Sequence, residues 1–389
     1  MIGGGFAGVT CAKYLRRFAP TIDISLITPE SEYFTCPFSN TVLAGISRLE
    51  DLRQSYQALR DIHGIKVVHD RVLAVEAVER RLRLAGGSTL AYDKAVVAPG
   101  IDFDFAAVEG LTAENSPRMP HAWKAGAQTA QLSEHIRAMK QGGTIAISVP
   151  PAPFRCPPGP YERASLIAWY LQQHNPGAKV LILDGNDSFS KQGLFTAAWQ
   201  HLFPGMIEWI PISQDGAVRR VDTGRTVLYT EIGEHAVDVA NVIPPQRAAA
   251  LARDSGLTDA SGWCPVDPET FASTLADDVY VLGDAAKVNP MPKSASAANS
   301  HGKQCAIAIA AALTGQNKPP VSLHNTCYSL VTPAYGISVS AIYRMDNGAL
   351  ASVAGAGGTS PADAAEDFRR QEADYARGWY ASICADSFG

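Results

Sequence analysis

The sequence predicts an α/β chain of two dinucleotide-type, Rossmann-like domains with a smaller α+β domain at the C-terminal end. Three observations predict it. A glycine turn, Gly3-x-Gly5-x-x-Gly8, opens straight into helical spacing. Two short apolar strands, in 92–100 and 279–284, each run into a turn, Pro99-Gly100 and Gly283-Asp284. Between them lies a second strand–helix–strand unit.

At 389 residues the chain is too long for one ordinary core and implies two or three domains. With 46% apolar and 18% charged residues it is globular rather than disordered. A formal charge of −5 leaves no basic footprint, so nucleic acid is not an expected partner. No apolar run approaches the roughly 18–20 residues of a membrane span, which predicts a soluble chain. The seven cysteines show no CxxC spacing and no CxxCH haem attachment, so neither a metal site nor a haem is expected here.

Each element follows from its residues. Gly3 permits a tight bend, Gly5 lets the backbone approach a pyrophosphate, and Gly8 lets helix and strand pack closely. Gly8 to Phe18 keep helical spacing, and the helix start offers free N–H groups to phosphates. The β-branched run Ile22–Ile27 reads as the next strand. Only Met1 and Ile2 precede the turn, so most of the first strand is missing from this numbering or the start lies inside the mature chain. Any signal peptide would lie upstream.

In flavoproteins of the glutathione reductase-like fold, strands like those ending at Gly100 and Asp284 bracket an inserted domain. The Gly-Asp aspartate there binds the ribityl chain of FAD. FAD is therefore the expected cofactor. The expected division is an FAD-binding domain from 1–108 and 246–317, a second Rossmann-like domain over 109–245, and a flavin-covering domain over 318–389.

In the insert, strand Thr144–Val149 leads to a helix near Tyr161–Gln173 and then to strand Lys179–Asp184. A nicotinamide-binding unit would carry a second glycine fingerprint at the first join. Here the join is Pro150-Pro-Ala-Pro-Phe-Arg-Cys-Pro-Pro-Gly-Pro160, whose prolines lack the N–H donors a pyrophosphate needs. No NADH site is expected, and Asp184 reads as a strand end. Beyond 318 the pattern changes to a hairpin, Ile337–Arg344 and Ala349–Val353 around Asn347-Gly348, and a final helix near Pro361–Ile383.

Cys156 lies in the stiff proline loop, and Cys327 opens the last domain. A disulfide between them would sit against the flavin ring and belong to the labile, catalytic kind; the other reading is two unrelated buried thiols. Cys36, in Tyr33-Phe-Thr-Cys36, reads as a buried structural cysteine or as a thiolate that attacks the flavin 8α-methyl group. Cys11 and Cys305 fall on apolar helical faces and read as core.

The chain resembles the flavoprotein subunit of flavocytochrome c sulfide dehydrogenase over essentially its whole length. The resemblance rests on Tyr33-Phe-Thr-Cys36 with Ser39-Asn40, and on Phe154-Arg-Cys-Pro-Pro-Gly-Pro-Tyr-Glu-Arg-Ala164. It rests equally on Ile243-Pro-Pro-Gln-Arg247, Gly262-Trp-Cys-Pro-Val-Asp267, Asn289-Pro-Met-Pro-Lys-Ser294, Asn325-Thr-Cys-Tyr-Ser329 and the ending Asp386-Ser-Phe-Gly389. The resemblance implies that Cys156 and Cys327 form a redox-active disulfide and that Cys36 holds FAD as an 8α-S-cysteinyl thioether. Asp284 and the Pro292-Lys293 turn match positions flanking the flavin. Glu162 matches a family glutamate and reads either as a proton shuttle or as an acid stabilising a helix N-terminus.

Two departures stand out. Thr28 replaces the acidic residue that grips the adenosine ribose in the family, with Glu30 as the substitute. The stretch Lys293–Ala298 holds no aromatic, which leaves Trp379 as a candidate in an electron path or as core. The implied activity is oxidation of hydrosulfide to zero-valent sulfur or polysulfide, with electrons passed to a separate c-type cytochrome subunit in a periplasmic heterodimer. A sulfide:quinone oxidoreductase, a non-catalytic flavin electron carrier and an NADH dehydrogenase are the rivals.

Overall fold

A computed structural model of the chain describes residues 1–315 and 317–389. Five of the helices concern the site: α1 (Phe6–Phe18), α2 (Gly159–His174), α3 (Gln192–Leu202), α4 (Ala295–Thr314) and α5 (Glu366–Phe388). The chain is α/β, with two Rossmann-like units and an antiparallel C-terminal unit.

The first unit is built around Ile2. It bridges in parallel to Ile27 on one side and Val97 on the other. Ser25–Ile27 pairs in turn with Lys66–Val68, and Ala95–Val97 with Val279–Val281, all parallel. A two-sided parallel sheet needs apolar residues on both faces. Leu26, Val97, Val279 and Val281 supply them and are fully buried. α1 and α4 pack together on this sheet, with Cys11 and Cys305 buried in the core they share.

The strand expected over Ile22–Ile27 begins only at Ser25. Ile22 is held in a turn instead, its amide on Ala19 O at 3.4 Å and its carbonyl accepting Arg16 Nη1 at 2.8 Å. The other boundary strands are likewise trimmed to Ala95–Val97 and Val279–Val281, where the following turns take over.

The second unit is a four-stranded parallel sheet in the order Ile207–Ile210, Lys179–Asp184, Thr144–Val149, Val239–Val242. α2 begins at Gly159, two residues before its expected start, because a proline such as Pro160 is tolerated in the first turn.

The C-terminal unit pairs Leu323–Thr332, Tyr335–Asp346 and Ala349–Ser352 antiparallel, with Gly358–Thr359 added on the middle strand. Asn347 and Gly348 take φ of 49° and 81°, the left-handed pair that a tight two-residue hairpin requires. α5 starts at Glu366 rather than near Pro361, since the Pro361 carbonyl is held by Arg369 Nη2 at 2.6 Å outside the helix. It runs on to Phe388, whose ring meets those of Tyr33 and Phe6 at 5.5 and 5.4 Å, so the last turn is tied to the first unit.

Candidate active site

A cavity of about 660 Å³ runs from the glycine turn, between the two Rossmann-like units, to the first strand of the C-terminal unit. Its dinucleotide end is shaped by close backbone approach. Gly3 has φ of 103°, and a Cβ there would lie 2.2 Å from Ala98 O. A Cβ on Gly8 would lie 2.1 Å from Gly3 O, so any side chain would push helix from strand. Gly5 caps α1 without a side-chain hydrogen bond, and no acid occupies the first helical turn. A Cβ on Gly5 would meet nothing closer than Tyr33 at 3.6 Å, and the residue lines the cavity. Free N–H groups and the positive end of the helix dipole therefore face this space, as an anion requires. Thr28 is buried and its hydroxyl donates to Glu30 Oε2 at 3.4 Å; Glu30 is exposed at the cavity wall.

Gly100, with φ of 71°, and Asp284 line the middle of the cavity. Asp284 Oδ1 is buried with no hydrogen-bond partner. Burial pushes its carboxyl up, opposed by Arg155 and Lys293; Arg155 Nη1 stands 3.9 Å from Oδ2. An orphaned buried acceptor is costly, about 1–3 kcal/mol, and a ribityl hydroxyl would satisfy this one. The glycine turn, the uncapped helix start and this carboxylate together fit FAD.

Lys293, expected against the cofactor, is turned away from the cavity. Its ammonium donates to the carbonyls of Asp284 at 2.7 Å and Ala286 at 2.9 Å and lies over the Trp263 ring at 3.6 Å. Those carbonyls satisfy a buried cation that burial has lowered to about 8. The lysine thus fixes the Asp284 turn, and its own carbonyl accepts the Cys156 amide at 2.7 Å.

At the far end Cys36, Cys156, Glu162 and Cys327 all line the cavity. Cys36 Sγ stands 3.7 Å from Trp123 O. Cys156 adopts φ of 57°, uncommon for a residue with a side chain, and its carbonyl accepts Gly159 N at 2.8 Å. The amide to Lys293 and the carbonyl to α2 hold the sulfur in that strained turn. Both Cys156 and Cys327 are free thiols in this structure, and the Cys156 sulfur feels the charge of Cys327. Burial pushes the Cys156 thiol well up, and the Cys327 thiol up against the pull of Lys191. Asn325 Nδ2 reaches Cys327 Sγ at 3.5 Å.

Glu162 sits in the first turn of α2, yet its carboxylate is directed inward. Oε1 accepts Leu330 N at 2.9 Å and Oε2 accepts Asn40 Nδ2 at 2.8 Å. Burial raises its carboxyl, against these two donors. A buried carboxyl with a raised pKa next to two thiols is suited to taking and returning a proton.

Sequence reasoning missed four residues here. Arg163 is almost fully buried and donates to Asn40 Oδ1, His121 O, Asn241 Oδ1 and Ala122 O at 2.7–2.9 Å. Asn40 links that guanidinium to Glu162. Arg155 bridges Asp284 to the cysteine loop. Lys191 approaches Cys327 from α3. Asn40, Arg155 and Arg163 lie inside the strings that carried the resemblance, so proximity in sequence was a usable signal; Lys191 carried none.

At the end of its strand in the second unit, Asp184 is enclosed by the protein's own donors. Asp184 accepts Tyr161 OH at 2.6 Å, Trp209 Nε1 at 2.8 Å, and Asn186 N and Nδ2 at 3.0 and 2.9 Å. Phe189 stacks on Tyr161 at 3.6 Å and 12°. Four donors on one carboxylate leave it nothing for a ribose.

The sequence matches the family described as pyridine nucleotide-disulphide oxidoreductase over residues 1–139. It matches the central part of the sulfide dehydrogenase [flavocytochrome c] flavoprotein chain over 129–244, and the flavin-binding part of flavocytochrome c sulphide dehydrogenase over 319–388. The sulfide dehydrogenase [flavocytochrome c] flavoprotein chain of Chlorobaculum thiosulfatiphilum is 50% identical over 42 residues, 11% of this chain and 88% of that one. The chain belongs to the flavocytochrome c sulfide dehydrogenase flavoprotein family. It is a flavoprotein oxidoreductase of a sulfide-oxidising family, and its cofactor is FAD.

Members of the neighbouring quinone-linked group are also similar. The mitochondrial sulfide:quinone oxidoreductase of Mus musculus is 22% identical over 326 residues, 76% of this chain and 67% of that protein. The sulfide:quinone oxidoreductase of Aquifex aeolicus superposes with a TM-score of 0.75 at 15% identity, covering 100% of this chain and 91% of that one. An NAD-dependent persulfide reductase from A. fulgidus gives a TM-score of 0.64 at 15% identity, over 99% and 76%. These structures share the fold. Among the described residues no helix is long and apolar enough to cross a membrane.

Proposed function

We propose that this flavoprotein oxidises hydrosulfide to zero-valent sulfur through a Cys156–Cys327 disulfide and passes the electrons to a c-type cytochrome subunit. The observation that carries the reading is the convergence of Cys156, Cys327 and Glu162 at the end of the cavity opposite the glycine turn. That is where the ring of a dinucleotide bound at α1 would lie.

Hydrosulfide attacks Cys156 Sγ, whose loop is held rigid by Lys293 O and Gly159 N. The disulfide breaks, its electron pair stays on Cys327 as a thiolate, and Cys156 becomes a persulfide. Glu162 takes the persulfide proton. Once two electrons have been given up to a flavin bound in the cavity, Cys156 and Cys327 can rejoin and zero-valent sulfur leaves, so each hydrosulfide yields one sulfur atom, one proton and two electrons. FAD bound here would supply a two-electron acceptor able to release electrons singly to a one-electron partner. Glu30 with Thr28 would hold the adenosine end, Asp284 the ribityl chain, and Cys36 the ring as an 8α-S-cysteinyl thioether. Trp379, half-buried on the cavity wall beside Tyr328 at 6.2 Å, provides an aromatic route outward.

The bacterial periplasm suits a chain that depends on a disulfide, and the family match supports a cytochrome partner in a heterodimer. The charged face of α5 supports a water-facing surface: Arg370 pairs with Asp367 and Arg377 with Asp374. A quinone acceptor is the second reading, favoured by the similarity to the mouse and Aquifex enzymes.

Anaerobic addition of sulfide tests the proposal. The flavin absorbance bleaches in the wild type, Cys327→Ser abolishes bleaching, and oxidised cytochrome c restores the colour. Normal bleaching in the variant rules out the disulfide; restoration by a quinone and not by cytochrome c transfers the chain to the quinone-linked reading.

A further inference from the structure

Lys191 is a buried lysine for which the steps above have no use. It immediately precedes α3 in a left-handed conformation, φ 63°, and only 7% of its surface is exposed. Its ammonium donates to Ser329 Oγ at 2.8 Å, Cys327 O at 3.0 Å and Ile337 O at 3.5 Å. An ammonium has three protons, and all three go to uncharged acceptors.

No carboxylate among the described residues pairs with it. The two acids that feel its charge, Glu162 and Glu372, are engaged elsewhere. Glu162 accepts from Leu330 and Asn40, and Glu372 from Ser338, Ser360 and Arg369. A buried cation without a partner is unfavourable, and proteins keep one mainly where an anion is to be met. Burial lowers this ammonium to about 8, so it stays charged at neutral pH.

The charged surroundings of Cys327 single out the lysine. Cys156 acts on Cys327 from the proline loop, Glu162 from α2 and Tyr343 from the neighbouring strand, while Arg155 and Arg163 act on Cys156. Arg155 is shared with Asp284 and Arg163 is fixed on Asn40 and Asn241, whereas Lys191 is the leading favourable charge on Cys327.

Building on the proposed disulfide chemistry, we infer that Lys191 is the counter-charge of the Cys327 thiolate, and so decides which sulfur of the pair is the leaving group. It acts through position, holding the Cys327 strand by its carbonyl while its cation faces the sulfur's surroundings. Disulfide exchange is faster when the leaving thiol is more acidic. With the cation beside Cys327, hydrosulfide bonds to Cys156 Sγ, the Cys156–Cys327 bond breaks, and the electron pair goes to Cys327. The reverse choice would leave the anion on Cys156.

Only the thiolate reacts with alkylating reagents, so its population can be read directly. The dithiol-reduced holoprotein is treated with iodoacetamide across a pH series, and Cys327 labelling is read by peptide mass spectrometry. In Lys191→Met the half-labelling pH of Cys327 moves up by about one unit or more, a roughly tenfold loss of labelling at neutral pH. Lys191→Arg and Ser329→Ala keep the wild-type profile, since each retains the charge. An unmoved profile in Lys191→Met, or the same shift in Ser329→Ala, overturns the inference, the latter by showing a structural role alone. Should Lys191→Met fail to fold, Lys191→Gln is read by the same criteria. The measurement needs no sulfide, so loss of sulfide bleaching in the wild type would refute the proposed function separately.

Discussion

At the scale of single residues, the site depends on groups that would be unfavourable anywhere else. Asp284 carries an orphaned oxygen, Cys156 a left-handed backbone, Glu162 a buried carboxyl and Lys191 a buried ammonium. Such costs cluster where chemistry is done. Glu162 gives a testable pH dependence. Its folded pKa is raised above the ordinary 4.5, so the folded state holds its proton more tightly than the unfolded chain. Its contribution to stability is then complete below the ordinary value and is lost as pH rises through the folded one. Wild-type melting temperature should therefore fall, relative to Glu162→Gln, as pH increases above the ordinary carboxylate range. Thermal melts of both proteins across that range check this; a constant difference would show that the carboxyl is not raised.

Some of this was legible in the residues. The glycine turn, the Gly-Asp strand end and the two cysteines each have a local pattern, because their roles begin with local backbone geometry. Lys191 had none, since its meaning arises only when α3 packs against a strand that begins more than 130 positions later. Lys293 was legible only in part, for a related reason. Its place in the turn was visible, but which way its ammonium points was settled by two carbonyls and a tryptophan ring.

At the scale of elements, period and turn chemistry identified most of the structure. Thr144–Val149 and Lys179–Asp184 run over the residues expected, because buried parallel strands read as continuous apolar runs. The first-unit strands were overestimated, since their outer residues are held in turns. The joins carry function. The segment between strand Glu32–Phe34 and the short helix Ser39–Leu43 is pinned by Thr35 to Tyr380 of α5 at 2.7 Å and by Ser39 Oγ to Cys36 O at 2.7 Å. Cys36 sits half-buried in this braced loop with only the long 3.7 Å contact to Trp123 O, so Cys36→Ala should cost about 1 kcal/mol or less. In acid-denatured protein the yellow colour should stay with the wild-type polypeptide and separate from Cys36→Ala. Free flavin in the wild type would remove the thioether.

At the scale of the whole molecule, two related units have taken different paths. The first retains its glycine fingerprint and an open cradle. The second keeps the parallel sheet but surrounds Asp184 with Tyr161 and Trp209, stacks Phe189 on Tyr161, and carries Cys156 in the join. The C-terminal unit then closes the cavity with Cys327, and α5 ties back to the first unit through Phe388.

The central claim is that Cys156 receives the sulfur of hydrosulfide while Cys327 leaves. The most direct measurement is to add one equivalent of sulfide anaerobically to the oxidised protein, alkylate at once, and map the cysteine peptides by mass. The account predicts one extra sulfur atom on Cys156, with Cys327 alkylated as a plain thiol. Extra sulfur on Cys327, or on neither cysteine while the flavin bleaches, would contradict it.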